Sequence, residues 1–156
     1  MSPVAHRADR FLRLLARSRS GIAAVEFALV LPVLSFMVVG LLAFGAALNN
    51  YVDLTEGVRA AARVLAQSAA YPTVPYSTAQ TFFNEATTNL TAANLTLYVY
   101  VNGTQCTDDT SCSTALSGAE GDPVTVTATY SLCVTVMGHN FLPSCQLSAS
   151  TTQIVE

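Results

Sequence analysis

Between Phe27 and Leu48 the chain carries no charged residue at all, and the apolar character reaches back to Ile22 with Glu26 as its single interruption. About 20 such residues span the roughly 30 Å hydrocarbon core of a bilayer. A lone span in lipid must satisfy its backbone hydrogen bonds internally, which selects a helix. Residues 22–48 therefore read as a transmembrane helix, in keeping with a hydrophobic content of 51%. Pro32 would bend this helix or mark its first turns, and Gly40 and Gly45 are small positions where another helix can approach. The alternative is a helix buried in a soluble core.

The charges are divided around this segment. All seven basic residues are Arg, and Arg7, Arg10, Arg13, Arg17 and Arg19 precede Gly21. Arginines flanking a span stay on the cytoplasmic side, so residues 1–21 read as a basic cytoplasmic leader. Val4, Ala8, Phe11 and Leu15 fall at helical spacing opposite the arginines. The leader is then either an amphipathic stretch on the anionic inner leaflet or a disordered basic tail, with the same topology in both cases. Beyond Gly21 only Arg59 and Arg63 stand against nine acids, a net charge of −7. So acidic a body argues against nucleic acid as a partner.

Helical periodicity continues past the apolar segment. Tyr51, Leu54, Val58, Ala61 and Leu65 repeat at steps of three and four, with Asp53, Glu56, Arg63 and Gln67 on another face. The Ala-rich run to Ala70 favours helix, Glu56 can pair with Arg59, and Tyr71-Pro72 stops it. Ile22 to Ala70 thus predicts one helix of roughly 70 Å, whose portion over 49–71 is a stalk. Its apolar seam needs a cover, either the downstream domain or a neighbouring subunit.

Residues 72–156 predict a small α+β domain. Ser77 with Gln80 forms a candidate capping box ahead of Ala79, Phe82, Phe83, Ala86 and Leu90 on one helical face. Strand-like alternation follows over Leu95 to Val101 and Val124 to Tyr130, and more weakly over Leu147 to Val155, for an antiparallel sheet. Asn102-Gly103 is a turn signal, but the polar stretch behind it looks too long for a two-residue hairpin and reads as a loop. Cys106, Cys112, Cys133 and Cys145 all lie on the far side of the apolar segment from the arginines, where disulfides form. Three pairings exist, and closeness along the chain favours Cys106 with Cys112 and Cys133 with Cys145.

Residues that could carry chemistry are few. His139 is the only histidine beyond the leader, and neither a Gly-x-Ser-x-Gly nor a phosphate-binding loop occurs. The spacing of His139, Cys133 and Cys145 lacks the close ligand pairs of structural zinc sites. Asp108-Asp109 and Glu120-Gly121-Asp122 read as solvated loop acids ahead of a weak calcium site. The Asn-x-Thr triplets at Asn89, Asn94 and Asn102 carry meaning only in a eukaryotic secretory setting. No enzyme activity and no cofactor are expected.

Glu26 is the most informative single residue. A carboxylate costs on the order of 2.5–3.5 kcal/mol at mid-membrane and less near the interface, so it either snorkels to the cytoplasmic boundary or meets a positive partner. Ser18-Arg19-Ser20-Gly21 followed by Ile22-Ala23-Ala24-Val25-Glu26-Phe27-Ala28-Leu29-Val30-Leu31-Pro32 resembles the start of TadE/TadG-like proteins of the tight-adherence (Tad) pilus, and of type IV prepilins in general. In that class a basic leader ends in Gly, the next residue becomes the mature N-terminus, and Glu stands fifth in an apolar helix. The resemblance implies cleavage between Gly21 and Ile22 by a prepilin peptidase at the cytoplasmic side. It also implies a subunit-assembly role for Glu26 and Phe27, with Glu26 pairing with the new amine of Ile22 on a neighbouring subunit.

Val58-Arg59-Ala60-Ala61-Ala62-Arg63 is similar to the Ala/Arg-rich run behind the anchor of TadE-like proteins. Phe27 and Pro32, with the Cys-bearing domain, are nearer to the minor pseudopilins than to the short major pilin. What the resemblance implies is a structural subunit anchored once in the bacterial inner membrane, its last domain periplasmic, with the peptidase, other pilins or pseudopilins and the Tad assembly machinery as partners. Two rival readings remain. A binding module released by signal peptidase would be cut after Gly45-Ala46-Ala47, although the apolar run exceeds the usual signal core. An uncleaved single-pass adhesive or sensory protein would keep its leader.

Overall fold

The computed structural model describes residues 19–67, 74–136, 138–142 and 144–156. It has the expected α+β order: a long apolar helix, a short helix, then an antiparallel sheet. The chain divides between Leu42 and Ala43 into two compact units. The first contributes the apolar start of α1, a helix over Arg19–Ala66 with Pro32 inside it. The leader's first eighteen residues and the Tyr71-Pro72 stop lie outside the described residues. Helix is already present at Arg19, ahead of the expected start at Ile22, and it closes at Ala66, short of Ala70.

In the second unit α1 forms one layer of the core. Leu54, Val58, Ala61, Ala62 and Leu65 are buried together with residues of the sheet and the later helices. Of the predicted seam only Tyr51 stays outside, 44% exposed. The cover is the chain's own downstream domain. Helix α2, Pro75–Ala86, begins two residues before the predicted capping box, so Ser77 is interior and caps nothing. Proline at its first position suits a place where an N–H would lack a partner. The Ser77 N–H donates instead to Asp109 Oδ1 at 2.8 Å, a cap supplied from 32 residues away. Ala79 and Phe83 face the core, whereas Phe82 is 39% exposed.

Gly57 is what lets α1 and α2 meet. A Cβ there would lie 2.5 Å from Thr87 Cγ2 and 3.0 Å from Phe83 Cδ2. Thr87 is the buried polar residue at this contact, and its hydroxyl donates to the Phe83 carbonyl at 2.9 Å. The pair is thereby satisfied within α2's last turn.

A four-stranded antiparallel sheet supplies the opposite layer: β1 (Leu95–Val101), β2 (Thr104–Cys106), β3 (Pro123–Ser131) and β6 (Gln146–Ile154), in the order β2-β1-β3-β6. The stretch after Asn102-Gly103 is not one loop. Val101 pairs with Thr104 across that dipeptide, and both turn residues have positive φ, 49° and 80°. This is the two-residue turn that Asn-Gly favours. The sequence then leaves the sheet into α3, Asp109–Leu116. The polar, Ser/Thr-rich composition hid a strand of only three residues and a helix of eight. A second small hairpin joins β4 (Thr135–Val136) to β5 (His139–Asn140).

Alternation along the strands sorts the residues by face. Val99, Val101, Val124, Val126, Ala128, Tyr130 and Ala149 are buried inward. The outer face is a ladder of hydroxyls in which Thr125 meets Thr152 at 2.8 Å and Thr127 meets Ser150 at 2.9 Å. The disulfides join Cys106 to Cys112 and Cys133 to Cys145. The first is buried and fastens β2 to α3. The second brackets the β4–β5 hairpin, with Cys133 exposed.

Candidate processing and assembly site

Gly21, Ile22, Glu26 and Phe27 lie within the first described turns of α1. Gly21 is half-buried, while Ile22 is 65% and Phe27 62% exposed. From Ile22 to Val39 every side chain is exposed, on all sides of the helix. A helix apolar all round and covered by nothing is the signature of a segment meant for lipid. Among the described residues one helix is long and apolar enough to cross a membrane, and it is this one.

Helical geometry brings the four residues into relation. Ile22 and Glu26 are four apart and share a face, and side chains on a helix lean toward its N-terminal end. The Glu26 carboxylate is thus carried back toward Gly21 and away from the middle of the apolar run. Phe27 and Pro32 occupy other positions around the axis. Pro32 removes one helical donor, and the Ser35 hydroxyl donates to the Pro32 carbonyl at 2.9 Å. The Gly21–Ile22 bond sits in helical backbone, so a peptidase acting there has to unwind a turn. Glycine is the residue for which helix is least favourable apart from proline, and unwinding costs least there.

Three of the loop acids, Asp108, Asp109 and Asp122, have structural duties. Asp108 caps α3: its carboxylate accepts from the Ser111 N–H at 2.7 Å while its own N–H donates to Ser111 Oγ at 3.1 Å. The Ser111 backbone hydrogen bond, helped by the Ser111 hydroxyl, holds the Asp108 carboxyl below its ordinary value. Asp109 caps α2, and Asp122 accepts from Asn102 Nδ2 at 3.1 Å. An open depression of about 710 Å³ lies beside Asn102, Asp108 and Asp122. Among the described residues no three His, Cys, Asp or Glu converge on a point that could hold a metal ion. His139 is exposed in β5, and Asn140 rather than His139 approaches the second disulfide, its Nδ2 donating to Cys145 Sγ at 2.9 Å.

Two residues of consequence escape a reading of the sequence. Gly57 looks like a helix-weakening residue in an Ala-rich run, and its role depends on what crosses it. Asp109 looks like a solvated acid beside Asp108, and its role depends on a helix 32 residues earlier.

Neither the curated proteins nor the solved structures contain a match to the chain. The family model of TadE-like proteins matches residues 21–63, from the candidate cleavage glycine through the Ala/Arg-rich run. That family is structural rather than enzymatic. Over residues 21–63, then, this chain is similar to TadE-like proteins.

Proposed function

We propose that the chain is a minor pseudopilin: a structural subunit held in the inner membrane by α1, cut by a prepilin peptidase between Gly21 and Ile22, and used in assembling a Tad-type pilus. The observation that carries this reading is the helix that is apolar and uncovered on every side from Ile22 to Val39 with one carboxylate, Glu26, a single turn from the candidate cut. An isolated carboxylate so placed is a liability in lipid. A newly exposed amine on the neighbouring subunit's first residue compensates it, which ties removal of the leader to subunit addition. The leader's arginines, which would stay on the cytoplasmic side, support a periplasmic second unit, a compartment that suits its two disulfides.

Mass spectrometry of the protein extracted from membranes of cells with an active prepilin peptidase tests this. The expected N-terminus is Ile22, and Gly21→Lys should leave the leader in place. A chain beginning at Met1, or a soluble one beginning at Leu48, overturns the reading. Glu26→Gln should leave processing intact and lower pilus assembly.

A further inference from the structure

The four strands of the sheet contain no charged residue, although residues 74–156 carry six acids and no Lys or Arg. Every acid from Glu85 to Glu156 stands outside the strands. An antiparallel sheet with one wet face is ordinarily polar on that side, and charges there guard it against stray pairing. Here the polarity is kept without any charge.

The register shows what stands in place of charge. Gln105, Tyr100, Thr125 and Thr152 form one row across all four strands. Tyr98, Thr127 and Ser150 form the next row, on the same face because side chains two apart on a strand point the same way. None of the seven is buried, and Tyr98 is 37% exposed. Their chain neighbours Val99, Val101, Val124 and Val126 fill the core on the other side. Hydroxyls of β3 and β6 bond to one another, Thr125 to Thr152 at 2.8 Å and Thr127 to Ser150 at 2.9 Å. Each such pair uses one O–H as donor, so its second O–H and most of its lone pairs are left for solvent or a ligand.

We propose that this outer face binds a neutral polysaccharide. Its composition removes the other classes of partner. Nucleic acids and other polyanions call for basic side chains, and a cationic ligand calls for carboxylates. The face has neither. Protein interfaces draw their energy from aromatic, Met and Arg anchors, with Ser and Thr under-represented, whereas Ser and Thr make up most of these rows. A lipid surface needs a continuous apolar patch, which the hydroxyls interrupt. The complementary ligand is uncharged and rich in hydroxyls of its own, since each O–H on either side can both donate and accept. Tyr98 and Tyr100 add an apolar body with a polar tip, suited to the mixed C–H and O–H surface of a sugar ring. A chain of sugars engages successive rows at once, which raises affinity without a deep pocket. Binding at this face does not depend on a cut at Gly21.

The test uses the full oxidised chain in a detergent without a sugar headgroup. The probes are amorphous cellulose and cross-linked dextran, each beside its carboxymethylated form. Retention is expected on at least one neutral probe and is expected to be weaker on that probe's carboxymethylated form, which the acidic domain repels. Raising the salt to about 1 M, where charges are screened beyond about 3 Å, should leave retention on the neutral probe unchanged. Thr127→Val with Ser150→Ala removes one hydroxyl pair while keeping residues that strands accept. It should weaken retention about tenfold, with both disulfides still formed. Independently of any substitution, hydroxyl-radical footprinting should show Tyr98 protected severalfold by a soluble oligomer of the retained polysaccharide. Phe82 of α2, 39% exposed, should be labelled equally with and without it. Retention on neither neutral probe, equal retention on the carboxymethylated form, loss of retention in salt, an undiminished variant or an unprotected Tyr98 overturns the proposal. Protection of Tyr98 that rises with protein concentration and not with the oligomer marks the face as a contact between copies and overturns it as well.

Discussion

Gly57 shows how much one missing methyl group can decide. Its Cα faces the place where Thr87 and Phe83 cross the stalk, and a Cβ has no room there without moving a buried ring or the Thr87 methyl. Gly57→Ala in an open helix would gain about 1 kcal/mol from propensity. Here overpacking, about 1–3 kcal/mol, should win. Thermal unfolding of the detergent-dispersed protein is expected to fall for Gly57→Ala and further for Gly57→Val, and an unchanged midpoint would show that the helices are not in contact. At Asp108 the prediction concerns pH. Its carboxyl is held below its ordinary value in the folded chain by the Ser111 hydrogen bonds. The stabilisation is fully present above the unfolded value and disappears as pH falls through the folded one. Acidification should therefore fray the start of α3 in wild type, visible as faster exchange at the Ser111 amide, and Asp108→Asn should weaken that dependence.

Elements with internal period are legible in the sequence alone. The strand at Leu95–Val101 is found at its predicted limits, and Pro123–Ser131 and Gln146–Ile154 each lie within a residue of theirs. Alternation needs no distant information. The stalk's buried seam was legible for the same reason. What failed depended on partners. Ser77 and Gln80 fit a capping box by spacing, yet Pro75 takes the first helical position and Asp109 supplies the missing acceptor from afar. Asn102-Gly103 read as the mouth of a loop because nothing apolar marks a three-residue strand, whereas one buried disulfide holds it to α3. The two disulfides should accordingly behave differently. Cys106→Ala with Cys112→Ala is expected to destabilise the domain by about 2–4 kcal/mol in denaturant titrations. Cys133→Ser with Cys145→Ser should loosen only the β4–β5 hairpin, and a mild reductant should reach the exposed second bridge first. Equal losses from the two pairs would contradict this.

At the scale of the whole molecule, the candidate site belongs to the first unit and the core to the second. Gly21, Ile22, Glu26 and Phe27 needed no tertiary structure to be found, because a charge inside an apolar run is conspicuous in a linear sequence. The uncharged face of the sheet is not visible there, since which strands lie side by side is a property of the sheet order.

That α1 carries both the long apolar segment and a core layer also limits how such a chain can be taken apart. Leu54, Val58, Ala61, Ala62 and Leu65 are as much part of the domain as the sheet they cover. A shortened protein beginning at Ala43 keeps that layer, should fold without a membrane, and should show a cooperative melt by circular dichroism. One beginning at Pro75 exposes the inner sheet face and should aggregate. In terms of ancestry, recombination at the junction between stalk and domain would yield nothing that folds, so stalk and domain are expected to have been inherited together as a single unit of exchange.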